Sequence, residues 1–469
     1  MLDKIVAGIS DVMYTYILII LLVGAGIYFT VRTRFAPFRL FKEQIRAVTE
    51  KPKDGKGVSS FQALMVSTAS RVGTGNIIGV STAICLGGFG SVFWMWVIAI
   101  IGSASALIES TLAQIYKKKG PDGSYGGPAY YIEAGLKCRP LAIVFSVFLI
   151  FAYGFGFNML ASYNLQSTFS NYSFYNEKVT PWIIGLVVAI LVGYCLLGGG
   201  KRILKMTGVL VPVMGVAYIL VALIIMAINI TTLPTVFARI FKEAFDFTAI
   251  FGGFTGSCVM FGIKRGLFSN EAGVGSAPNA SASADVKHPA KQGMVQMLSV
   301  FIDTVLICSA TAFMCMCSGV EPDASLSGAA YVQASLSETL GGFGPVFITV
   351  SMILFAFTTL LGNLFYVDKA IFHILKRQPS KWAMRIIHVV CALVIFAGAG
   401  LTADLLWNIA DISMGLMALI NIPVIIILGK YAFRTIKDYE KQRKEGKDPV
   451  FKTKDIDFPD KVDYWGDEE

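Results

Sequence analysis

The residues of this chain best suited to chemistry form a short polar interruption, Gly73-Thr74-Gly75-Asn76, inside an apolar run from about Phe61 to Leu86. Glycine and asparagine are poor helix formers, and a backbone break inside a bilayer persists only where it lines a cavity or meets a ligand. The freed carbonyls of such a break can bind a cation, and the freed amides can bind an anion. The alternative is an unbroken helix whose glycines allow close packing against a neighbouring helix.

The side chains of this interruption divide between two kinds of ligand. The amides of Gly73 and Gly75 can approach a carboxylate closely because no Cβ blocks them, and Thr74 adds a hydroxyl. We therefore expect Gly73, Thr74 and Gly75 to contact a substrate. The amide oxygen of Asn76 is a good ligand for a hard cation, and the alternative for Asn76 is capping of the break.

Two adjacent hydroxyls, Thr358 and Thr359, lie in a second apolar run. Together with backbone carbonyls near Ser70 and Val72, they can complete the oxygen shell of a sodium ion. This set contains no titrating carboxylate, which favours a metal cation over a proton as the bound ion, although proton coupling stays an alternative. The other interpretation of both threonines is a hydrogen bond to the carbonyl four residues earlier.

Charged residues also occur inside apolar runs, where they are costly and usually functional. Glu109 is expected to accept hydrogen bonds from freed amides of a broken helix, with Arg71 as its charge partner. We also predict a gating salt bridge among Arg71, Arg265 and Glu271 near the cytoplasmic end of a helix; snorkelling to the interface is the alternative. Asp303 is a similar candidate without an assigned partner.

The composition is that of a polytopic membrane protein. Of 469 residues, 55% are hydrophobic and 15% charged, and the mean hydropathy is +0.64. The net charge of +9 reflects basic residues in alternate loops, so it indicates membrane orientation and not nucleic-acid binding. That pattern places the N-terminus outside and the C-terminus in the cytoplasm. Three histidines and eight scattered cysteines show no metal-ligand spacing.

Eleven apolar runs follow one another along the chain. They lie near 11–33, 60–86, 90–117, 140–164, 181–198, 206–229, 247–279, 292–318, 343–372, 382–400 and 404–430. Without the first run, ten remain as five plus five, and because five is odd the two halves have inverted topology. The sequence therefore predicts an all-α protein of eleven transmembrane helices, with a transport site at the bilayer midplane between the halves.

The first helix of each half is expected to be broken. In the second half we place the break at Gly252–Ser257, with Thr255, Gly256 and Ser257 as substrate-binding residues. The predicted division is an extra helix and basic loop (1–59), a first repeat (60–229), a second repeat (230–430) and a charged cytoplasmic tail (431–469). The tail is expected to form a surface helix over Arg434–Arg443 and then to be solvated.

Four stretches of the sequence resemble one family, the alanine or glycine:cation symporters, also called sodium:alanine symporters. They are Val72–Ile77, Gly87–Gly102, Gly126–Ile132 and Lys264–Pro278. The resemblance implies a LeuT-type inverted-repeat fold in the plasma membrane of a prokaryote, and symport of a small amino acid, such as alanine or glycine, with sodium. It further implies that the substrate carboxylate meets the first break and that sodium bridges this break and the helix carrying Thr358 and Thr359.

The sequence departs from that family at two positions of the expected pocket. Many members have glutamine where this chain has Ala161, and tryptophan where it has Asn363. The pocket is expected to be flanked by Asn158, Ala161, Leu360 and Asn363, so these differences enlarge and polarise it. A longer polar substrate, such as serine or glutamine, is therefore an alternative to alanine and glycine.

Two other function classes are compatible with the composition. One is an intramembrane enzyme using Glu109 and Asp303, but no catalytic signature accompanies these residues. The other is a transporter-like sensor that signals through the tail, which is short. A small neutral amino acid and the lipid bilayer are the expected partners, and the expected oligomeric state is a monomer.

Overall fold

The protein is described by a computed structural model. It describes residues 2–52, 57–120, 123–247, 250, 253, 257–459 and 462–465. In this part of the chain the regular structure is helical, apart from one antiparallel hairpin that pairs strand β1 (Lys118–Gly120) with strand β2 (Gly123–Tyr125). The predicted all-α architecture is confirmed.

The first half of the chain forms thirteen of the described α-helices, several of them continued by a π-helical turn. They are α1 (Leu2–Val12), α2 (Ile19–Arg32), α3 (Ala36–Arg39), α4 (Phe41–Thr49), α5 (Ser60–Arg71), α6 (Val80–Gly87), α7 (Gly90–Ile115), α8 (Pro128–Gly135), α9 (Arg139–Leu149), α10 (Phe157–Ser167), α11 (Thr180–Leu196), α12 (Gly199–Ile228) and α13 (Leu233–Ala244). The π turns are Met13–Leu18, Gly75–Gly79 and Ile150–Gly156.

The second half continues the same architecture. Its described α-helices are α14 (Cys258–Asn270), α15 (Pro278–Ser281), α16 (Pro289–Val300), α17 (Ser309–Met316), α18 (Ala329–Leu340), α19 (Phe343–Leu375), α20 (Lys381–Gly398) and α21 (Ala403–Lys444). A π-helical stretch, Phe301–Cys308, joins α16 to α17, and 3-10 turns lie at Ala324–Leu326 and Thr453–Ile456.

Eight helical segments of the described chain are long and apolar enough to cross a membrane. They are Ile5–Arg32, Gly90–Ile115, Arg139–Ser167, Gly199–Ile228, Pro289–Met316, Phe343–Leu375, Lys381–Gly398 and Ala403–Lys444. Three further predicted runs differ from these: α11 is shorter, the run 60–86 is divided, and the run 247–279 lies partly outside the described residues. The number eleven therefore stays a prediction.

Helix α7 is the central element, and it packs against α2, α14 and α16. Small residues on the partners make this close approach possible. A methyl group added at Gly266 would lie 2.6 Å from Ile98 Cγ2, and one added at Gly293 would lie 2.6 Å from the carbonyl oxygen of Leu107. Small residues at helix interfaces are the usual means of tight packing in membranes. This packing carries Glu109, on α7, into the fully buried interior.

The structure differs from the sequence prediction in two helix ends. Helix α14 ends at Asn270 although the apolar run continues, because Glu271 adopts a φ of 52° and Gly273 one of 81°, which no α-helix accommodates. Helix α21 does not end near residue 430: it continues without interruption to Lys444. The predicted surface helix over Arg434–Arg443 is thus the end of a membrane-spanning helix.

The part of the tail beyond α21 was expected to be solvated; most of its described charged residues are exposed, but the expectation is wrong for its large apolar side chains. Phe451, Ile456 and Trp465 are buried against the rest of the protein. Their large apolar side chains are removed from water by this packing, which outweighs the polar character of the acidic residues between them.

Candidate functional site

The first predicted break is present in the structure. Helix α5 ends at Arg71, the chain leaves helical geometry at Val72, where ψ is 89°, and helical structure resumes around Gly75. The amide of Gly73 donates a hydrogen bond of 2.8 Å to Oδ1 of Asn76. The capping alternative for Asn76 is therefore realised, and its oxygen keeps a second lone pair for another partner.

The two threonines of α19 behave differently. Thr358 Oγ1 donates to the carbonyl oxygens of Leu354 (3.0 Å) and Phe355 (3.2 Å), which is the alternative interpretation of this residue. Thr359 Oγ1 is buried and has no hydrogen-bond partner among the described residues. This hydroxyl lies directly against Gly73, where any side chain would collide with it. An unpartnered buried hydroxyl beside a helix break is an arrangement that suits a bound cation.

The residues expected to flank the pocket meet at one side of this break. Ser70 Oγ donates to Asn363 Oδ1 at 2.7 Å, and Asn363 Nδ2 donates to Asn158 Oδ1 at 3.0 Å. The three residues lie on α5, α19 and α10, so this chain of hydrogen bonds joins three helices. Leu360 and Ala161, on the same two helices as Asn363 and Asn158, are also buried. The structure thus brings Asn158 and Asn363 together, while contact of the four pocket residues with a substrate stays a prediction.

Asp303, which had no assigned partner, belongs to a polar network around Asn76. Asn76 Nδ2 donates to Asp303 Oδ1 at 2.7 Å and to Ser269 Oγ at 2.9 Å. Ser269 Oγ (2.6 Å) and Thr304 Oγ1 (2.8 Å) donate to Asp303 Oδ2. All of these donors are neutral. The network fixes the orientation of the Asn76 amide at the start of the resumed helix.

Glu109 braces a helix break, as predicted, but the break that it contacts lies at Glu271–Ser276. Glu109 Oε1 accepts from the amide of Gly273 at 3.3 Å, and Oε2 accepts from Asn421 Nδ2 at 2.9 Å. Asn421 Nδ2 also donates to the Gly273 carbonyl at 2.9 Å. One carboxylate and one amide therefore satisfy both polar groups of Gly273 in the unwound segment.

Only part of the second predicted break, Gly252–Ser257, lies among the residues that the structure describes. Thr255 and Gly256 lie outside the described residues. Ser257 caps the N-terminus of α14, where its Oγ accepts from the amide of Met260 at 3.3 Å. A serine at a helix N-cap satisfies an amide that has no partner within the helix.

The predicted salt bridge among Arg71, Arg265 and Glu271 is wrong for the described residues. Arg265 pairs with Asp411 at 3.4 Å, and its guanidinium lies 4.1 Å from the ring centroid of Trp407. Arg71 Nη1 donates to Gln296 Oε1 at 3.1 Å, and Glu271 accepts a hydrogen bond from Ser276. The reason is that α14 directs Arg265 towards α21, where the buried carboxylate of Asp411 is its charge partner.

Asp411 carries two buried cationic partners. Lys264 Nζ lies 3.0 Å from Asp411 Oδ2, and the side chains of Lys264, Arg265 and Asp411 are all buried. The backbone carbonyl of Asp411 also accepts a hydrogen bond of 3.3 Å from the Tyr14 hydroxyl. This cluster joins α14 to α21 and to the N-terminal helical segment.

Two site residues were missed in the sequence. The ring of Phe268 lies so close to Gly75 that an added methyl group there would be 2.8 Å from its Cε1 atom, and it stacks on Phe157 at 4.7 Å. Asn164 Nδ2 donates to Thr74 Oγ1 at 3.0 Å. Phe268 lies within the family motif 264–278, but an aromatic residue in an apolar run gives no separate signal. For Asn164 a signal was available, because an asparagine inside an apolar helix is a polar residue that needs a partner.

The sequence of this chain is similar to those of known proteins over nearly its whole length, and not only at this site. The sequence profile described as the sodium:alanine symporter family matches residues 1–453. The chain belongs to the sodium:alanine symporter family. This symporter is 44% identical over 459 residues to the amino-acid carrier protein AlsT of Bacillus subtilis, covering 98% of this chain and 97% of AlsT. It is also 44% identical over 452 residues to a Bacillus subtilis protein named "Probable sodium/glutamine symporter GlnT", covering 96% and 93% of the two chains.

A solved structure supports the same fold. The crystal structure of MhsT in complex with L-phenylalanine matches this symporter with a TM-score of 0.52, covering 89% of this chain and 95% of MhsT at 16% sequence identity. The predicted LeuT-type fold is thereby confirmed. The predicted family and the class of sodium-coupled membrane transporter are confirmed as well, and membership of a transporter family sets aside the intramembrane-enzyme alternative.

Proposed function

We propose that this protein carries a small neutral amino acid across the membrane together with sodium, by alternating access. The observation that carries the proposal is the buried, unpartnered Thr359 hydroxyl beside the break at Gly73. In this proposal the amides of Thr74 and Gly75 bind the substrate carboxylate, while the Gly73 amide donates to Asn76 Oδ1 and the absence of a side chain at Gly73 admits Thr359 Oγ1. The coupling ion is bound by carbonyl oxygens near Ser70 and Val72 together with Thr359, as midplane sites on broken helices are in this class of transporter.

The two threonines provide a matched test of the sodium site. Thr359→Val keeps the shape of the side chain and removes an oxygen that has no other partner, so we expect the sodium concentration for half-maximal uptake to rise about tenfold or more. Thr358→Val removes an oxygen that is already hydrogen-bonded within its own helix and is expected to have a much smaller effect. The measurement is uptake of labelled amino acid into proteoliposomes over a sodium series.

The same preparation separates sodium coupling from proton coupling. Uptake driven by a pH gradient without sodium would favour the proton-coupled alternative, and an unchanged sodium dependence in Thr359→Val would contradict the proposed site. Absence of gradient-driven accumulation in the unsubstituted protein would favour the sensor alternative.

For the substrate, we propose that Asn363 and Ala161 determine side-chain selectivity. One relative is named only as an amino-acid carrier and the other as a probable sodium/glutamine symporter, at equal identity to this chain, so the names do not decide the question. Asn363 is fully buried and joins Ser70 to Asn158. A buried polar group left unpaired excludes a wrong substrate more strongly than an added methylene, which changes affinity by about 1–3 kcal/mol.

We expect the double variant Asn363→Trp with Ala161→Gln to shift preference towards alanine and glycine and to weaken serine and glutamine. The reason is that two larger side chains reduce the space beside the break. The measurement is competition by a panel of amino acids against labelled alanine uptake. Asn363→Ala is the control, because it removes the hydrogen bonds to Ser70 and Asn158 without filling the pocket. Identical rankings in the unsubstituted protein and the double variant would show that these positions do not shape the pocket.

We propose further that the N-terminus lies outside the cell and the tail in the cytoplasm of a prokaryote, on the basis of the basic loops. Exposed Lys51 and Asp323 lie on opposite faces in this topology. In intact cells, an impermeant thiol reagent is expected to label Asp323→Cys and to leave Lys51→Cys unlabelled, against the unsubstituted protein as background. The reverse pattern would overturn the orientation. The proposed monomer is checked by light scattering of the purified protein.

A further inference from the structure

The chain after α21 forms a defined structure, which we call the C-terminal strap: residues 445–459 and 462–465. It crosses the face of the protein that carries the basic loops. Four of its side chains, Phe451, Ile456, Val462 and Trp465, are buried against that face. The proposed transport mechanism assigns no role to this packing.

One part of the strap is bound to the end of α7. Trp465 Nε1 donates to the carbonyl oxygen of Gln114 at 2.8 Å, and Asp463 Oδ2 accepts from the amide of Lys119 at 3.0 Å. The ammonium of Lys117 lies 3.7 Å from the ring centroid of Tyr464. The strap thereby holds the end of a helix from the first half of the chain.

Another part of the strap is bound to the segment that follows the break at Glu271–Ser276. The Tyr464 hydroxyl donates to Asp285 Oδ1 at 3.0 Å, and the amide of Phe451 donates to the carbonyl oxygen of Lys287 at 3.0 Å. Asp448 pairs with Lys287 at 2.7 Å. The strap thus connects the two halves of the chain at this face.

Asp285 connects the strap to the segment just before the first broken helix, α5. Its amide donates to the carbonyl oxygen of Val58 at 2.8 Å, two residues before α5 begins. A small apolar cluster, Val58, Ala63, Ala284 and Val286, continues this contact. The strap therefore reaches, through one residue, the start of the helix whose other end is the break at Gly73.

We propose that the C-terminal strap is a latch that holds the start of α5 against residues 284–286, and that it must release before the site opens to this face. Alternating access needs the elements around the midplane site to separate on one side at a time. At this face, α5 separates from residues 284–286 only when the Val58 and Asp285 contact breaks. The strap stabilises this contact from outside the bilayer. The inference rests on the proposed function and orientation.

The test uses the full-length chain with a reporter, Ala63→Cys, in inside-out membrane vesicles. Ala63 is fully buried in the contact that the latch maintains. Labelling by an impermeant thiol reagent is read peptide by peptide by mass spectrometry. Tyr464→Phe removes the hydroxyl that donates to Asp285 and keeps the ring beside Lys117, and Trp465→Ala removes the hydrogen bond to Gln114 together with the packing of the indole. Lys454→Ala, at an exposed strap position, is the matched control.

We expect Tyr464→Phe and Trp465→Ala to speed labelling at position 63 by about threefold to tenfold, the effect of losing a hydrogen bond of ordinary strength. Lys454→Ala is expected to leave the rate unchanged. Equal rates in all variants would overturn the latch. So would a parallel increase at the native, buried Cys195, which the strap does not contact, because it would indicate general loosening. Labelling of position 63 does not require transport. Failure of the latch is therefore read from the labelling rates, and failure of the proposed function is read separately from sodium-driven uptake.

Discussion

Gly73→Ala is expected to abolish sodium-driven amino-acid uptake. The added methyl group would occupy the space of Thr359 Oγ1 and would lie 3.2 Å from Thr359 Cβ. Either α19 moves away from α5 or the break changes its geometry, and both changes remove the proposed site for the coupling ion. The measurement is initial uptake into proteoliposomes with saturating sodium, and we expect a fall of about a hundredfold or more, since displacement of catalytic or binding groups by an ångström has effects of this size.

Gly79→Ala is the matched control for this variant. It lies in the π turn Gly75–Gly79 that follows the break, and its added methyl group would be 3.4 Å from Trp407, an ordinary contact distance. Uptake by Gly79→Ala is expected to stay close to that of the unsubstituted protein. Comparable uptake by Gly73→Ala would contradict the assignment of the break at Gly73 as the transport site.

Asp411→Asn is expected to lower the thermal stability of the purified protein strongly. The substitution leaves Lys264 and Arg265 buried without a countercharge, and breaking a buried ion pair from one side costs about 3–5 kcal/mol. Because the cluster joins α14 to α21, the same variant is expected to lose transport before it unfolds. The measurements are the melting temperature in detergent and uptake in proteoliposomes.

Two controls separate the charge effect from simple substitution. Lys264→Met removes one cation and leaves Arg265 paired with Asp411, so its melting temperature is expected to fall much less. Asp404→Asn changes an exposed carboxylate on the same helix and is expected to have no measurable effect. If the melting temperatures of Asp411→Asn and Asp404→Asn are equal, the cluster does not stabilise the fold.

The first break could be predicted from the sequence because its signal is local. Two glycines and an asparagine interrupt an apolar run, and the helix propensity of these residues acts wherever the run is placed. The role of Glu109 was predictable for the same reason, since a carboxylate in the bilayer needs hydrogen-bond donors and a broken helix supplies them.

The break at Glu271–Ser276 was not predicted, although its residues lie in the long family motif. Glu271 adopts a left-handed conformation with no sequence signal for it. Gly273 and Gly275 are compatible both with close packing and with a positive φ, so only their neighbours decide between these possibilities. The predicted gate failed in a similar way, because charge signs alone do not show that Arg265 faces Asp411.

The sequence by itself determined that this chain spans the membrane many times, that its first repeat begins with a broken helix, and that it belongs to its family. These properties depend on hydropathy, glycine content and contiguous motifs, which are read along the chain. The tertiary structure alone decided which polar groups meet: Asn76 and Asp303 are 227 residues apart, and Tyr464 lies 179 residues from Asp285. Such pairings depend on how helices pack, and many buried polar residues compete for each partner until packing places them.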